Sequence, residues 1–203
     1  MSYHGQFKTD FHIEQYFPGK RNGICVDVGM GHPISGNHTY FFEQIGWDCL
    51  CIEPNTRYCE IAKGVRRQVV NVACGAVNVK KHPFSIFTLD NANEMAISGL
   101  SVDQRLVDSH KHLIRGHHTV EVDVSTLNDL LVPAIVGPID FISIDTENTE
   151  LDVLKGLDIP RWKPKLFVIE NNFDEPMVGQ YLARFGYQRD KRVGVNDFFV
   201  LTI

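Results

Sequence analysis

The sequence has no stretch near the ~20 consecutive apolar residues that a membrane span requires, and no apolar leader-like run at its start. The expectation is a cytoplasmic protein without a membrane partner. A basic excess is lacking too: 25 acidic against 20 basic side chains leave a net charge of −5. That balance gives no electrostatic footprint for nucleic acid. No C-x-x-C pair occurs among the five cysteines, Cys25, Cys49, Cys51, Cys59 and Cys74. The Cys49-x-Cys51 spacing suits zinc poorly, so they read as reduced packing residues. Internal repeats and low-complexity segments are absent. A length of 203 residues with 43% apolar content suits one α/β domain over 1–203.

What is present is concentrated first between Gly23 and Pro54. Ile24, Cys25, Val26 and Val28 make a short apolar run, the pattern of a strand buried on both faces. Gly29 and Gly31 follow, where a turn must let backbone approach a ligand closely. Asn37 to Ile45 reads as a helix stopped by Gly46, and Cys49 to Ile52 as a second strand ending at Glu53. An acid at the tip of the second strand, 24 residues after the first glycine, is placed to accept hydrogen bonds from ribose hydroxyls. The glycines Gly29, Gly31 and Gly36 miss the G-x-G-x-x-G spacing of dinucleotide sites. A looser loop suits a nucleoside without a pyrophosphate. S-adenosylmethionine is one such ligand, and a nicotinamide cofactor of an oxidoreductase is the competing one. In the first case the ligand's carboxylate falls near the start of the helix, its ammonium near Asp27, and Ser35 or Asn37 caps the helix.

Strand and helix then alternate, which predicts a mostly parallel sheet with right-handed crossovers. Strands are expected at Val69–Ala73, Phe84–Leu89, Val120–Val124, Ile139–Ile144 and Leu166–Ile169. Helices are expected at Phe7–Phe17, Asn55–Ala62, from Ser125 or Thr126 to Leu131, at Thr149–Lys155 and at Pro176–Phe185. Two short strands close the chain, the last antiparallel. Residues 1–20 read as an N-terminal helical lid. The weakly patterned 82–118 reads as a substrate-selecting insertion, irregular over Asp90–Gly116. It holds His110, His112, His117 and His118, but no cysteine or carboxylate stands at metal spacing beside them.

Five ordered segments, VDVGMGHP, NHTYFFEQIGW, CIEPN, SIDTENTELDVLKG and WKPKLFVIEN, resemble the FkbM family of S-adenosylmethionine-dependent methyltransferases. The resemblance covers nearly the whole chain. It implies a Rossmann-like class I methyltransferase fold with a seven-stranded sheet. It also implies O-methylation of a sugar or small natural-product acceptor, with N-methylation of an amide or amine known in the same family. Glu53 and Pro54 then belong to the donor site, and Asn71, Val72 and Ala73 to the wall around adenine. The chain departs from the family where Glu147, Asn148, Thr149 and Glu150 replace a Glu-Gly-His-Glu run.

In open α/β sheets ligands lie beyond the carboxyl ends of the strands. That rule gathers Gly29, Gly31, Glu53, Asp145, Glu147, Glu170 and Asn171 at one edge. Methyl transfer to a hydroxyl needs a positioned acceptor and a base for its proton. Asp145 is the first candidate base and a donor-site residue, His32 the second, and Glu147 a further catalytic candidate. Asp145, Glu170 and Asn171 are oxygen donors from two strand ends and suit Mg²⁺. A fold retained without catalysis is the third class of reading.

Overall fold

A computed structural model of the chain describes residues 2–90 and 97–202. Among these, seven strands form the main sheet: β1 (Ile24–Val28), β2 (Asp48–Ile52), β3 (Gln68–Val70), β7 (Phe141–Ile144), β8 (Leu166–Glu170), β9 (Tyr187–Val193) and β10 (Asn196–Leu201). Their order is β3-β2-β1-β7-β8-β10-β9. Every pairing from β3 to β8 is parallel, and β10 runs antiparallel to both β8 and β9. The expected mostly parallel seven-stranded sheet with an antiparallel last strand is therefore present.

Alternation along the buried strands sends successive side chains to opposite faces. Val26, Val28, Leu50, Ile52, Ile142 and Ile144 pack with α5 (Leu127–Ala134), α6 (Glu150–Lys155), α7 (Ile159–Trp162) and α8 (Met177–Ala183). Cys25, Cys49, Cys51, Phe141, Val168 and Phe198 pack on the other face with α1 (Thr9–Glu14), α2 (Tyr40–Gln44) and α3 (Thr56–Ala62). The five cysteines are buried and free, the packing role their spacing suggested.

The register decides the site. Val28 stands opposite Ile52 and Ile144, and Ile144 opposite Ile169. The next residue along each strand is Gly29, Glu53, Asp145 or Glu170. These four therefore form a row across one edge of the sheet, neighbours being one strand spacing of roughly 4.8 Å apart.

Several expectations are corrected. The predicted strand Val69–Ala73 is two strands, broken at Asn71 and Val72. β3 stays in the main sheet, and β4 (Ala73–Gly75) starts a second, three-stranded sheet. Its other members are β5 (Val79–Leu89) and β6 (Ile114–Thr126). Both are far longer than the predicted Phe84–Leu89 and Val120–Val124, because their outer halves are polar and half-exposed and carry no apolar signal. The stretch read as irregular also holds α4 (Gln104–His110), capped by the Asp103 side chain on the Arg105 amide. Residues 91–96 of the expected substrate-selecting segment lie outside the described residues. The helix at Leu127 continues through Pro133 rather than ending at Leu131. The N-terminal helix is a 3₁₀ turn at Gln6–Lys8 followed by the short α1.

The chain's start is fastened to the glycine loop. The Gly36 amide donates to the His4 carbonyl (2.9 Å), and the Gln6 amide donates to the Gly36 carbonyl (3.1 Å). Beyond that clasp, Ile13 and Phe17 are buried against Trp47 and Phe141.

Candidate active site

The glycine loop leaves β1 at Gly29. Gly29 and Gly31 both have positive φ, +78° and +58°. The Gly29 and Met30 amides donate to the Ile52 carbonyl at 2.9 and 3.1 Å, folding the loop back over β2. A Cβ on Gly29 would lie 1.7 Å from the Asp145 carbonyl oxygen, backbone on backbone. Gly29→Ala must push β1 and β7 apart at the site and adopt a disfavoured φ as well. The expected cost is about 4 kcal/mol or more. A denaturant melt checks it, and a loss under about 1 kcal/mol would refute the close approach.

A buried polar cluster bolts the loop from behind. Asp27 accepts from Asn37 Nδ2 (2.8 Å) and Thr39 Oγ1 (2.7 Å). Asn37 Oδ1 in turn accepts the Thr39 and Tyr40 amides at the start of α2. The Arg66 guanidinium, buried and paired with Glu43, donates to the Pro33 carbonyl, Asn37 Oδ1 and Thr39 Oγ1. A buried ion pair is tolerable when its remaining donors find acceptors, as these do. Asp27, the expected ammonium partner, is 3% exposed and stands among residues that shape the pocket rather than line it.

Glu53 closes the loop from the front. Its Oε2 accepts the Gly31 amide and its Oε1 the Asn55 amide, each at 2.7 Å. Each oxygen keeps a further lone pair for a ligand hydroxyl. Burial pushes this carboxyl up to about 7, against the pull of those two amides.

The cavity they frame has a volume of about 80 Å³. Of the residues singled out from the sequence, Gly29, Gly31, Glu53, Pro54, Val72, Ala73, Asp145 and Glu147 line it. Asp27, His32, Ser35, Asn37 and Asn71 do not. Asn71 instead donates to the Glu53 and Pro54 carbonyls, fixing the exit of β2. His32 is corrected as a base: its Nδ1 accepts the Ile34 and Ser35 amides, which occupies the lone pair a base would use. Tyr58 of α3, Phe84 of β5, and Ser98 and Leu100 line the cavity too. Phe84, Ser98 and Leu100 fall within 82–118, the segment read from the sequence as substrate-selecting, whereas nothing in the sequence singled out Tyr58 for this pocket.

On the far side stands an acidic loop. The Asp145 amide donates to the Val28 carbonyl (2.9 Å), continuing the β1–β7 ladder. Glu147 and Asn148 follow with φ of +56° and +77°, a conformation costly for residues with a Cβ. Glu150 holds this bend: its Oε1 accepts the Thr146 amide (3.0 Å), the Thr146 hydroxyl (3.2 Å) and the Asn148 amide (3.0 Å). That organising role was not legible in the sequence.

The result brings oxygens of Asp145, Glu147 and Glu170 within 4.8 Å of one another. Among the described residues this is the sole acidic or histidine group so arranged, and no ion pair reaches its members. Burial, and then the charge of Glu150, raises Asp145 to about 7. Burial, and then the charge of Asp145, raises Glu147 and Glu170 well above the usual carboxylate range. The magnesium set expected from the sequence is corrected. Asn171 spends Nδ2 on the Glu175 carbonyl and Asp197, and Oδ1 on the Glu175 amide, so Glu147 stands where Asn171 was expected. His110 ends α4, and His117 and His118 lie on β6, without a metal-like grouping among the described residues.

No curated protein matches the sequence. Among solved structures the METTL16 MTase domain is similar, with TM-score 0.52 at 11% identity, covering 95% of this chain and 65% of that one. This chain thus spans less than two thirds of its length. M. capricolum TrmK, in complex with the natural cofactor product S-adenosyl-homocysteine, aligns with TM-score 0.44 at 11% identity over 94% of this chain and 66% of that one. No described helix is long and apolar enough to cross a membrane. The family model described as "Methyltransferase FkbM domain" matches residues 27–189, from the acid of β1 through the glycine loop, the acidic loop and β8 into β9. The chain belongs to that methyltransferase family.

Proposed function

We propose that the protein transfers a methyl group from S-adenosylmethionine to a hydroxyl oxygen of a sugar or small natural-product acceptor. The observation that carries this reading is the row at the strand ends. A glycine loop and a buried carboxylate suited to a ribose lie beside an acid, Asp145, held near the pH at which a general base works best.

The residues present fit such a donor. Gly29 and Gly31 allow backbone to approach it closely. Glu53 accepts the ribose hydroxyls while keeping the loop amides satisfied, and Val72, Ala73 and Tyr58 offer an apolar wall. The bound donor supplies a methyl carbon activated by a sulfonium. Asp145 takes the acceptor's hydroxyl proton as the oxygen forms its bond to that carbon, the old bond breaks, and its electron pair stays on sulfur. The present cavity is smaller than the ~300 Å³ or more of typical ligand sites. Phe84, Ser98 and Leu100, contributed from outside the main sheet, are expected to draw back as a nucleoside enters.

Calorimetry with S-adenosylhomocysteine is expected to show one site per chain, and NADH none. Turnover of a panel of hydroxyl, amide and amine acceptors then separates the chemistries. Methylation of amides or amines alone would replace oxygen by nitrogen as the acceptor atom. Binding without any turnover would favour a module that kept the fold only.

A further inference from the structure

A second cavity, of about 410 Å³, opens on the other side of the acidic loop and is lined by Arg105, Asn148, Glu150, Glu170 and Phe173 among others. Glu170 lines this cavity, whereas Asp145 and Glu147 line the glycine-loop pocket. The three acids whose oxygens converge within 4.8 Å therefore stand where the two cavities meet.

We propose that Asp145, Glu147 and Glu170 bind one hard divalent cation, such as Mg²⁺ or Mn²⁺, at this junction. The convergence of acids is one observation. A second is that Glu170 is 7% exposed and its buried Oε2 accepts no N–H or side-chain hydroxyl hydrogen bond, the one group its side chain meets by hydrogen bond being the Asp145 carboxyl of the same cluster. A buried carboxylate oxygen with no donor costs free energy that a ligand at that oxygen would recover. Arg105, which lines the second cavity beside Glu170, supplies no countercharge either, being spent on Asp103 and Glu175. Oxygen-only donors select a hard ion. Opposed ligand oxygens around Mg²⁺ stand about 4.2 Å apart, so the present spread closes by small side-chain movement. Each acid offers one oxygen, leaving the second oxygen of Asp145 for a proton.

The ion's role rests on the methyl-transfer reading: an acceptor entering by the second cavity would place its hydroxyl on the ion, which lowers that hydroxyl's pKa. Binding of the ion does not rest on it.

The test is Mn²⁺ titration of the full chain without donor, read by electron paramagnetic resonance and by the melting temperature. One Mn²⁺ per chain is expected, competed by Mg²⁺, with a rise in melting temperature. Glu170→Gln and Glu147→Gln should each weaken Mn²⁺ at least about tenfold, the loss of one charged ligand. Glu170→Gln replaces a buried carboxyl with a neutral amide of the same shape, so it should melt no lower than wild type in the absence of metal. It should also still bind S-adenosylhomocysteine. Wild-type protein that binds S-adenosylhomocysteine but no Mn²⁺ overturns the cation site and leaves the donor site standing. The same result would point to the acids as a seat for a cationic acceptor. Unchanged Mn²⁺ affinity in both variants would place the ion elsewhere and overturn the proposal equally.

Discussion

Asp145→Asn lowers kcat by roughly 10²–10⁴, the usual worth of a positioned base, while S-adenosylhomocysteine affinity changes by less than about threefold. The asymmetry follows from where the residue sits. Its backbone amide belongs to the β1–β7 ladder, bonded to the Val28 carbonyl, and that bond survives the substitution. Gly29 packs against its carbonyl oxygen, which also survives. What is lost is the carboxylate on the pocket wall, which the proposed chemistry uses only when the acceptor's proton moves. The check is single-turnover kinetics beside calorimetry on the same preparation. A variant that keeps its turnover removes Asp145 as the base. One that loses product binding makes it a donor-site residue first.

Glu53 carries the second large effect. Glu53→Gln weakens S-adenosylhomocysteine about 10- to 100-fold, the loss expected when a charged acceptor becomes a neutral one for a ligand hydroxyl. Glu53→Ala loses more, because the Gly31 and Asn55 amides are then left without their acceptor and the loop slackens. The same carboxyl gives a pH signature. Burial holds it at about 7 in the folded protein, above the ordinary 4.5. Between those values the folded chain keeps a proton that the unfolded chain has released. The stability from that proton is complete below about 4.5 and is lost as pH rises through about 7. Compared with Glu53→Gln, wild type should therefore lose a few kcal/mol between pH 4.5 and pH 8, at 1.36 kcal/mol for each unit of displacement. Melting curves of both proteins across that range measure it. A constant gap would mean that Glu53 is already ionised in the empty pocket.

The row of strand ends was legible because its signals are local. Apolar runs ending in Gly29, Glu53, Asp145 and Glu170 are the strand ends themselves, and parallel register aligns them without further information. The parts that were misread depend on long-range partners. His32 looks like a base until its ring nitrogen is found accepting loop amides, and Asn171 looks like a ligand until its amide is found tying Glu175 to Asp197. Arg66 gave no sign of its role, since it meets Pro33, Asn37, Thr39 and Glu43 only after α3 has folded back. The second sheet was half hidden because the lengths added to the predicted strands, residues 79–83 of β5 and 114–119 of β6, are largely polar and exposed.

The place of β10 bears on how this chain can be cut down. The family match stops at residue 189, yet the last strand lies inside the sheet, between β8 and β9. A recombinant fragment trimmed to the matched span would lose that strand and leave β8 with a raw edge and what remains of β9 stranded. It would also discard the clasp of His4 and Gln6 on Gly36. Homology boundaries here are not folding boundaries, and a fragment that keeps this sheet has to include both the clasp at His4 and Gln6 and the whole of β10.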